Sequence, residues 1–459
     1  MRATKDPASV RFVGVSLLAI AFSVTCPACS DCNGKPSASK AAKTSEAGTQ
    51  SRASAAATDA RKPLRGKPRT MEELPTTSAD IFFGNLDGQV EEITRLSKLG
   101  PPTGSRLRLA SGLHYTRGRF RGDLDEIQLG LDELTKCIEL EPDTADCVIM
   151  RAEQEQSLHR FPAARADVER ARKLGVDAVR AADVETDLDW NAGHYETAIK
   201  AIRQARLRAP TTGSWIREAQ LDHDLGLEDN ADAAFEAAED LIVDTGPLQV
   251  AHLNVQRGIQ KAHTGRLEEA VVFFREAASR IPNFVAANEH LAETLHQLGR
   301  DEEATKIYEG IVKESNDPEF MHALATLYDA HGKKAEAREL STKANSRYEA
   351  LLAKYPEAMY WHASEFYMDI GNLPKALELL RKNVVLRPNS VSLTALARVE
   401  HESHLAAEAK TSIDKALAMP VRSADLFWTA SKIYAAAGDT AKGASFLAQA
   451  KALNPRITP

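Results

Sequence analysis

The 459-residue sequence is poor in aromatic residues, which make up 6% of it, and it has only five cysteines. It contains no Asn-x-Ser/Thr sequon, which excludes N-linked glycosylation. It also has no Gly-x-Gly-x-x-Gly, no phosphate-binding Gly-Lys-Ser/Thr loop, no Gly-x-Ser-x-Gly elbow and no His-Glu-x-x-His. The absence of these motifs argues against the common nucleotide-binding and hydrolytic enzymes, and we predict a protein without cofactor or catalytic site. The formal charge of −7 gives no reason to expect nucleic-acid binding.

The first residues form a segment typical of export. Arg2, Lys5 and Arg11 precede an apolar run over residues 12–24. Thirteen residues are too few to cross a bilayer as a mature helix, but they fit the core of a secretory signal. We therefore predict an export segment over residues 1–28 and a location in the cell envelope, in the periplasm or at the outer membrane.

Three closely spaced cysteines follow, Cys26, Cys29 and Cys32, in the pattern CxxCxxC. A metal or iron–sulfur site would need a fourth ligand nearby and a folded loop, and neither is visible. The cysteines after an apolar segment resemble those of a bacterial lipoprotein, in which one of them carries the lipid anchor. Cys26 and Cys29 are the lipidation candidates, and simple cleavage of the signal stays an alternative.

The next segment is basic and has little to bury. Residues 33–70 contain nine Lys and Arg against Glu46 and Asp59, no aromatic residue, and Leu64 as the single large aliphatic residue. Such a composition cannot offset the entropy lost on ordering. We predict a disordered basic tether over residues 29–78.

From residue 106 to residue 456 the chain repeats itself. A small residue recurs at steps of 33, 34 or 39 residues and fixes the register of ten units. These anchors are Gly130, Ala164, Ala198, Ala231, Ala270, Ala304, Ala337, Ala376, Ala409 and Gly443. Seven units carry Gly five residues before the anchor, where a left-handed residue would end one helix and begin a short turn. Apolar residues recur between these points at three- and four-residue spacing, which predicts paired amphipathic helices.

Tyr328, Tyr367 and Tyr434, each followed by Gly four residues later, match the signature of the tetratricopeptide repeat family, which this region resembles. The resemblance implies an all-α fold, a right-handed superhelical solenoid of about ten helix-turn-helix repeats whose first helices line a concave groove. Residues 79–105 are expected to add a capping helix before the repeats. The two 39-residue steps indicate insertions near residues 243–248 and 345–355, the second within a helix.

The tetrapeptide HESH, with His401 and His404, has the residue types of a zinc site but is one residue short of the required spacing. His404 falls at the turn position that other units give to Gly, and Asp125 and His159 fall at the same position in two further units. Asp and His tolerate a left-handed conformation better than most residues. We interpret HESH as a turn, and keep as an alternative a metal- or pH-responsive edge lined by histidines.

In the family that the chain resembles, ligands contact set positions of the first helices. At those positions this sequence has an excess of acids, together with tryptophan and histidine. The resulting groove residues are Glu153, Asp187, Trp190, His223, Glu289, Glu293, His296, Trp361, Glu365 and Trp428. Acids attract a cationic segment and indoles supply contact area and cation–π attraction.

The prediction from these observations is a non-catalytic protein–protein interaction scaffold of the cell envelope, which binds a basic, extended partner segment in an acidic groove. A structural subunit of an export, polysaccharide or pilus assembly machine is the alternative. The basic tether is a further candidate occupant of the groove. Cys137 and Cys147, five residues on either side of Pro142, either form a disulfide or pack as free buried thiols.

Overall fold

The structure is a computed structural model that describes residues 64–243 and 245–458. The predicted export segment, its three cysteines and the first part of the predicted tether lie outside the described residues. Within the described residues the chain forms 21 α-helices and no strand. The predicted all-α repeat fold is confirmed.

Helix α1 (Ala79–Ser97) precedes ten helix pairs, which agree with the ten predicted units. The first five pairs are α2 (Gly104–Arg121) with α3 (Leu124–Leu140), α4 (Ala145–Ser157) with α5 (Phe161–Lys173), α6 (Ala178–Asn191) with α7 (Tyr195–Arg208), α8 (Thr212–Asp224) with α9 (Glu228–Asp240), and α10 (Pro247–His263) with α11 (Leu267–Arg280). The second five are α12 (Val285–Gln297) with α13 (Asp301–Glu314), α14 (Pro318–Ala330) with α15 (Lys334–Lys354), α16 (Pro356–Asp369) with α17 (Leu373–Leu386), α18 (Ser390–Glu402) with α19 (Ala406–Leu417), and α20 (Ala424–Ala436) with α21 (Thr440–Leu453).

The ten small anchors lie on the second helices, and all are buried. Their size matters because the first helix of each pair comes close at this point. A Cβ atom at Gly443 would lie 2.9 Å from the carbonyl oxygen of Ser431, and one at Gly130 would lie 3.1 Å from that of Ser111. The close approach of two backbones explains the register that the sequence shows.

The turns between paired helices have the predicted left-handed residues. The glycines are Gly193, Gly226, Gly265, Gly299, Gly332, Gly371 and Gly438, with φ between 73° and 88°. His159 (φ 55°) and His404 (φ 60°) take the same conformation, so HESH forms a turn as predicted. The prediction for Asp125 is wrong, because Gly122 (φ 67°) supplies the left-handed residue three positions earlier. The Asp123 carboxylate then caps α3 by accepting from the Asp125 and Glu126 amides.

Both 39-residue steps have a structural counterpart. The first places extra residues between the end of α9 at Asp240 and the start of α10 at Pro247. The second lengthens α15 to 21 residues, and Tyr348 in the added turn is 2% exposed. The predicted lengthening of a helix is confirmed.

The array winds round so that late pairs contact early ones. The Tyr195 hydroxyl on α7 accepts from the Ser390 amide at 2.9 Å, which joins the third pair to the ninth. The Arg422 amide donates to the Asp224 carbonyl at 2.8 Å, and the Asn454 side chain donates to the His263 carbonyl at 3.0 Å. These contacts link successive turns of one continuous solenoid.

Residues 64–78, here called the strap, pack against α9, α10 and α11 although the composition predicts disorder there. Glu239, fully buried, accepts from the Arg65 guanidinium at 2.7 Å and from the Arg69 amide at 3.1 Å. Arg280, 1% exposed, donates to the Leu74 and Arg69 carbonyls at 2.5 and 3.1 Å. Buried charges on the array are thus satisfied by the strap, and Leu74 adds apolar packing against the cluster of Phe235 and Val250.

After the strap, α1 connects the first pair to the middle of the array. The ring centroid of Phe83 on α1 lies 6.2 Å from that of Phe120, and the centroid of Phe120 lies 5.0 Å from that of Phe284 at the start of α12.

Elsewhere in the first pairs, Cys137 and Cys147 are joined as a disulfide, so of the two predicted alternatives the structure has the bonded one. None of the helices described is both long enough and apolar enough to cross a membrane.

Candidate functional site

The winding of the array encloses a cavity between the early and late helix pairs. Its volume is about 300 Å³, and its walls come from α6, α8 and α10 on one side and from residues around α18 and the start of α20 on the other. Three predicted groove residues, Asp187, Trp190 and His223, line it together. Sequence reasoning therefore found one wall of the cavity and missed the opposite one.

Trp190 and Tyr195 form the aromatic part of the wall. The indole lies edge-on to the Tyr195 ring at 4.6 Å between centroids, a favourable arrangement of two ring quadrupoles. Tyr195 is fixed from the other side by its hydrogen bond to the Ser390 amide. Trp190 is partly exposed and lines the cavity, so its indole can contact a bound molecule without a change in side-chain conformation.

Two carboxyl groups on this wall are held in unfavourable surroundings. Burial raises the pKa of Asp187 to about 6, even though the Arg217 guanidinium donates to it at 2.5 Å. Burial also raises the pKa of Asp224 to about 6, with His223 opposing and Glu228 adding to the shift. Both carboxylates would be stabilised by a further positive charge that enters the cavity.

His223 is the centre of a short hydrogen-bonded chain. Its Nδ1 lies 2.9 Å from a Glu228 oxygen, and its Nε2 lies 3.1 Å from Nδ1 of His263. Burial acts to lower the pKa of His223, but the Glu228 carboxylate outweighs it and the net shift is upward. The pKa of His263 is lowered to about 3, first by burial and then by His223. The arrangement fits a protonated His223 that donates to both neighbours.

A second group of side chains, which includes the predicted Glu289 and Glu293, lies on the first helices α12, α14 and α16, and none of its residues lines the cavity. We call Glu289, His290, Glu293, Glu319 and His362 the acid–histidine cluster. His362 Nδ1 lies 2.9 Å from a Glu319 oxygen, and this contact keeps the net pKa of Glu319 low against the effect of burial. Glu289 is 6% exposed, and burial followed by repulsion from Glu319 and Glu293 raises its pKa well above the usual range.

The other predicted groove residues do not join either region as expected. Trp361 is 3% exposed and packs in a core cluster that includes Tyr348, so it is not a groove contact. The Arg387 guanidinium carbon lies 5.9 Å from the centroid of the indole ring. Trp428 is only partly exposed, because its Nε1 donates to the Thr458 carbonyl at 3.0 Å and the C-terminal residues lie over it.

The remaining predicted groove residues are either paired with another side chain of the array or buried in it. Glu153 accepts two hydrogen bonds from the Arg180 guanidinium, at 2.8 and 3.0 Å. His296 lies 2.8 Å from Asp301, and Glu365 is 8% exposed. The groove is thus not one continuous acidic surface.

Sequence reasoning missed Arg217, His290 and the strap. Arg217 is not at one of the first-helix positions that contact ligands in the resembled family, so a reading of those positions did not select it. His290 stands between two selected residues, and its signal was the spacing of Glu289, His290 and Glu293 on one helix, which brings all three side chains together.

Comparison with known proteins identifies the repeat. Residues 262–327 match the sequence profile of the tetratricopeptide repeat family. The helix pairs before and after this segment keep the same register of buried anchors on their second helices. No curated protein matches the chain.

Several solved structures are similar in fold at low identity. Yeast Tom70 is 14% identical, with 82% of this chain and 90% of that chain covered and a TM-score of 0.34. A tetratricopeptide repeat protein from Parabacteroides merdae is 18% identical, with 53% and 93% covered and a TM-score of 0.33. Human IFIT1, in a dimer with m7Gppp-AAAA, is 13% identical, with 83% and 96% covered and a TM-score of 0.38.

Proposed function

We propose that this protein is a non-catalytic scaffold that binds a basic, extended segment of a partner protein in the cavity between successive turns of the solenoid. The observation that carries the proposal is the presence of Asp187 and Asp224, both with a pKa near 6, beside the accessible face of Trp190. A Lys or Arg side chain entering the cavity would meet the Asp224 carboxyl group, the indole of Trp190 and Asp187, which already accepts from Arg217.

The shape of the site supports an extended ligand. The cavity opens between helices of different turns, where one wall contributes Trp190 and the other contributes residues near Ser390. A segment lying across it would contact both turns.

We further propose that the protein is exported and held at the cell envelope. The basic residues before the apolar run 12–24, and the cysteines after it, support this location. Attachment through a lipid on Cys26 or Cys29 and simple cleavage remain two routes to it. Cell fractionation of Cys26→Ser and Cys29→Ser variants distinguishes them, because a lipid-anchored protein leaves the membrane fraction when its acceptor is lost.

The binding proposal is tested with labelled peptides of equal length, one rich in Lys and Arg and the other rich in Glu, by fluorescence anisotropy. We expect the basic peptide to bind and salt to weaken it. Trp190→Ala and Asp224→Asn should each weaken binding by about tenfold or more, as expected for an anchor residue in a pocket. The matched control is Trp215→Ala, since this indole lies outside the cavity wall and stacks on Arg206 at 4.8 Å.

Circular dichroism should show that all variants keep the helical content of the parent. Equal binding of the basic peptide by the parent and by both cavity variants would contradict the proposal, and so would equal binding of the Glu-rich peptide. The same variants can then be used to capture partners from an envelope extract, where a partner lost with Trp190→Ala but kept with Trp215→Ala identifies the process served.

A further inference from the structure

One turn of α12 brings three potential metal ligands together. Glu289, His290 and Glu293 each offer an atom within 4.8 Å of the other two. His290 Nε2 lies 3.8 Å from a Glu289 oxygen, and His290 Nδ1 lies 3.8 Å from a Glu293 oxygen. Glu293 lies four residues after Glu289 and three after His290, the spacings at which side chains on one helix are neighbours. The two carboxylates face different ring nitrogens, so an ion bound at Nε2 beside Glu289 requires the Glu293 carboxylate to rotate toward it.

The imidazole of His290 is an independent indication of a ligand. The residue is 5% exposed, and its Nε2 is buried without a hydrogen-bond partner among the described residues. The ring is held in place by stacking on Phe274, at 5.4 Å between centroids. Buried polar atoms are nearly always paired in native proteins, so a fixed, buried nitrogen that faces a carboxylate requires an explanation.

The charges around His290 are those that a cation would balance. Glu289 is almost completely buried, and Glu293 and Glu319 add negative charge beside it. Within the cluster the imidazole of His362 is committed to Glu319 through their 2.9 Å contact. Glu289 and Glu293, rather than Glu319, are therefore the carboxylates that an added cation would stabilise.

We propose that Glu289, His290 and Glu293 form a binding site for a divalent first-row transition ion of the Zn²⁺ class. One imidazole and two carboxylates suit such ions. Mg²⁺ and Ca²⁺ prefer sites made entirely of oxygen ligands, and the three side chains include no sulfur for a soft ion such as Cu(I). Three protein ligands leave a coordination position for water or for a group of a bound partner. This site is separate from HESH and from the cavity, and the inference does not depend on the proposed function.

The test is calorimetric titration of Zn²⁺ into the full chain after treatment with a chelator. Cys26, Cys29 and Cys32 are replaced by Ser in every protein, because thiolates would bind Zn²⁺ on their own. We expect one ion per chain. His290→Gln and Glu293→Gln should weaken binding by about 100-fold or more, beyond the loss seen when only a hydrogen-bond partner of a ligand is removed. The matched control is His194→Gln, which changes an exposed histidine 3.3 Å from Asp189 and should bind as the parent does.

Two results would overturn the proposal. One is the absence of binding near one ion per chain in the parent, and the other is unchanged affinity in both His290→Gln and Glu293→Gln. If either variant fails to fold, Co²⁺ absorption spectra of the parent and of Glu289→Gln provide a second measurement. Ligation by nitrogen and oxygen must appear in the parent and weaken in Glu289→Gln, and an unchanged spectrum would also refute the site.

Discussion

The cavity and the acid–histidine cluster both hold acids from the first helices of the array, but they differ in what faces those acids. In the cavity, Asp187 is paired with the guanidinium of Arg217, which stays charged at any physiological pH. In the cluster, Glu319 is paired with the imidazole of His362, and Glu289 and Glu293 flank the imidazole of His290. Arginine gives a fixed charge, whereas histidine changes charge near neutral pH and binds metal ions.

This difference shows that the number of acids on a surface does not determine which ligand the surface can bind, because the partners of those acids also matter. Both regions have the same residue types at the same helical positions, and the sequence alone treats them as one groove. At Asp187 the neighbouring helix α8 contributes Arg217, whereas at Glu319 the neighbouring helix α16 contributes His362. The cavity is suited to an added cationic side chain, and the cluster is suited to a metal ion.

The largest expected effect compares Trp190 at the cavity with Trp361 in a core cluster. Trp361→Ala should lower the free energy of unfolding by about 3–5 kcal/mol, because the indole fills a buried core. Trp190→Ala should cost about 1 kcal/mol, since the indole is partly exposed at the cavity. Urea unfolding followed by circular dichroism measures both. Similar losses for the two variants would mean that Trp190 is a core residue and not a contact surface.

The next effect tests the arginine pairing. Arg217→Met should lower the free energy of unfolding by about 3 kcal/mol, because it leaves Asp187 and Asp183 without their cation in a partly buried site. The double variant with Asp187→Asn should recover part of the loss. Arg172→Met, which breaks the exposed pair with Glu185, is the matched control and should cost less than about 1 kcal/mol. Equal losses in the two single variants would contradict the assigned role.

A smaller effect is the pH dependence of the cavity acids. Asp187 and Asp224 have pKa values of about 6 in the folded protein, above the usual value near 4, so the folded state holds their protons longer than the unfolded state. The free energy of unfolding should therefore fall as pH rises from about 4 to about 6, by about 2 kcal/mol for each group.

Asp224→Asn removes one of these titrations and should flatten the pH profile. The comparison is made by urea unfolding at several pH values in the same buffer system. An Asp224→Asn profile that falls as steeply as that of the parent would show that other groups cause the slope.

The smallest effect tests the acid–histidine cluster. With a chelator present, Glu289→Gln should raise the free energy of unfolding by about 1 kcal/mol, because burial and the carboxylates of Glu319 and Glu293 make the charged form of Glu289 unfavourable and Gln does not ionise. Addition of Zn²⁺ should stabilise the parent more than the variant. Thermal unfolding with and without Zn²⁺ measures both changes. Destabilisation by Glu289→Gln in chelator would mean that the carboxylate is already balanced, as Asp187 is by Arg217.

The repeat register was predictable because it is local. A small residue where two helices cross, and a left-handed residue between them, are required in each unit whatever the rest of the chain does. His159 and His404 were recognised at the glycine position for this reason. The first unit departs from the pattern because its left-handed residue is Gly122, in the sequence RGRFRGD, three residues before the expected position at Asp125.

The cavity was less predictable because it depends on rotation accumulated over many units. The contact between Tyr195 and Ser390 joins residues 195 positions apart, and nothing in either unit indicates the other. Trp361 shows the same limit on a smaller scale. Its position matches that of a groove residue, but the indole packs in a buried cluster that also contains Tyr348 from the added turn of α15. The order of the strap was not predicted, because composition indicates how much apolar surface a segment can bury but not which ion pairs it forms with the array.

The strap also determines how the protein carries mechanical load. A pull on the chain ahead of Leu64 acts first on the bonds of Arg65 with Glu239 and of Arg280 with the strap carbonyls. Force therefore enters at α9 and α11, near the middle of the ten pairs, and not at α2.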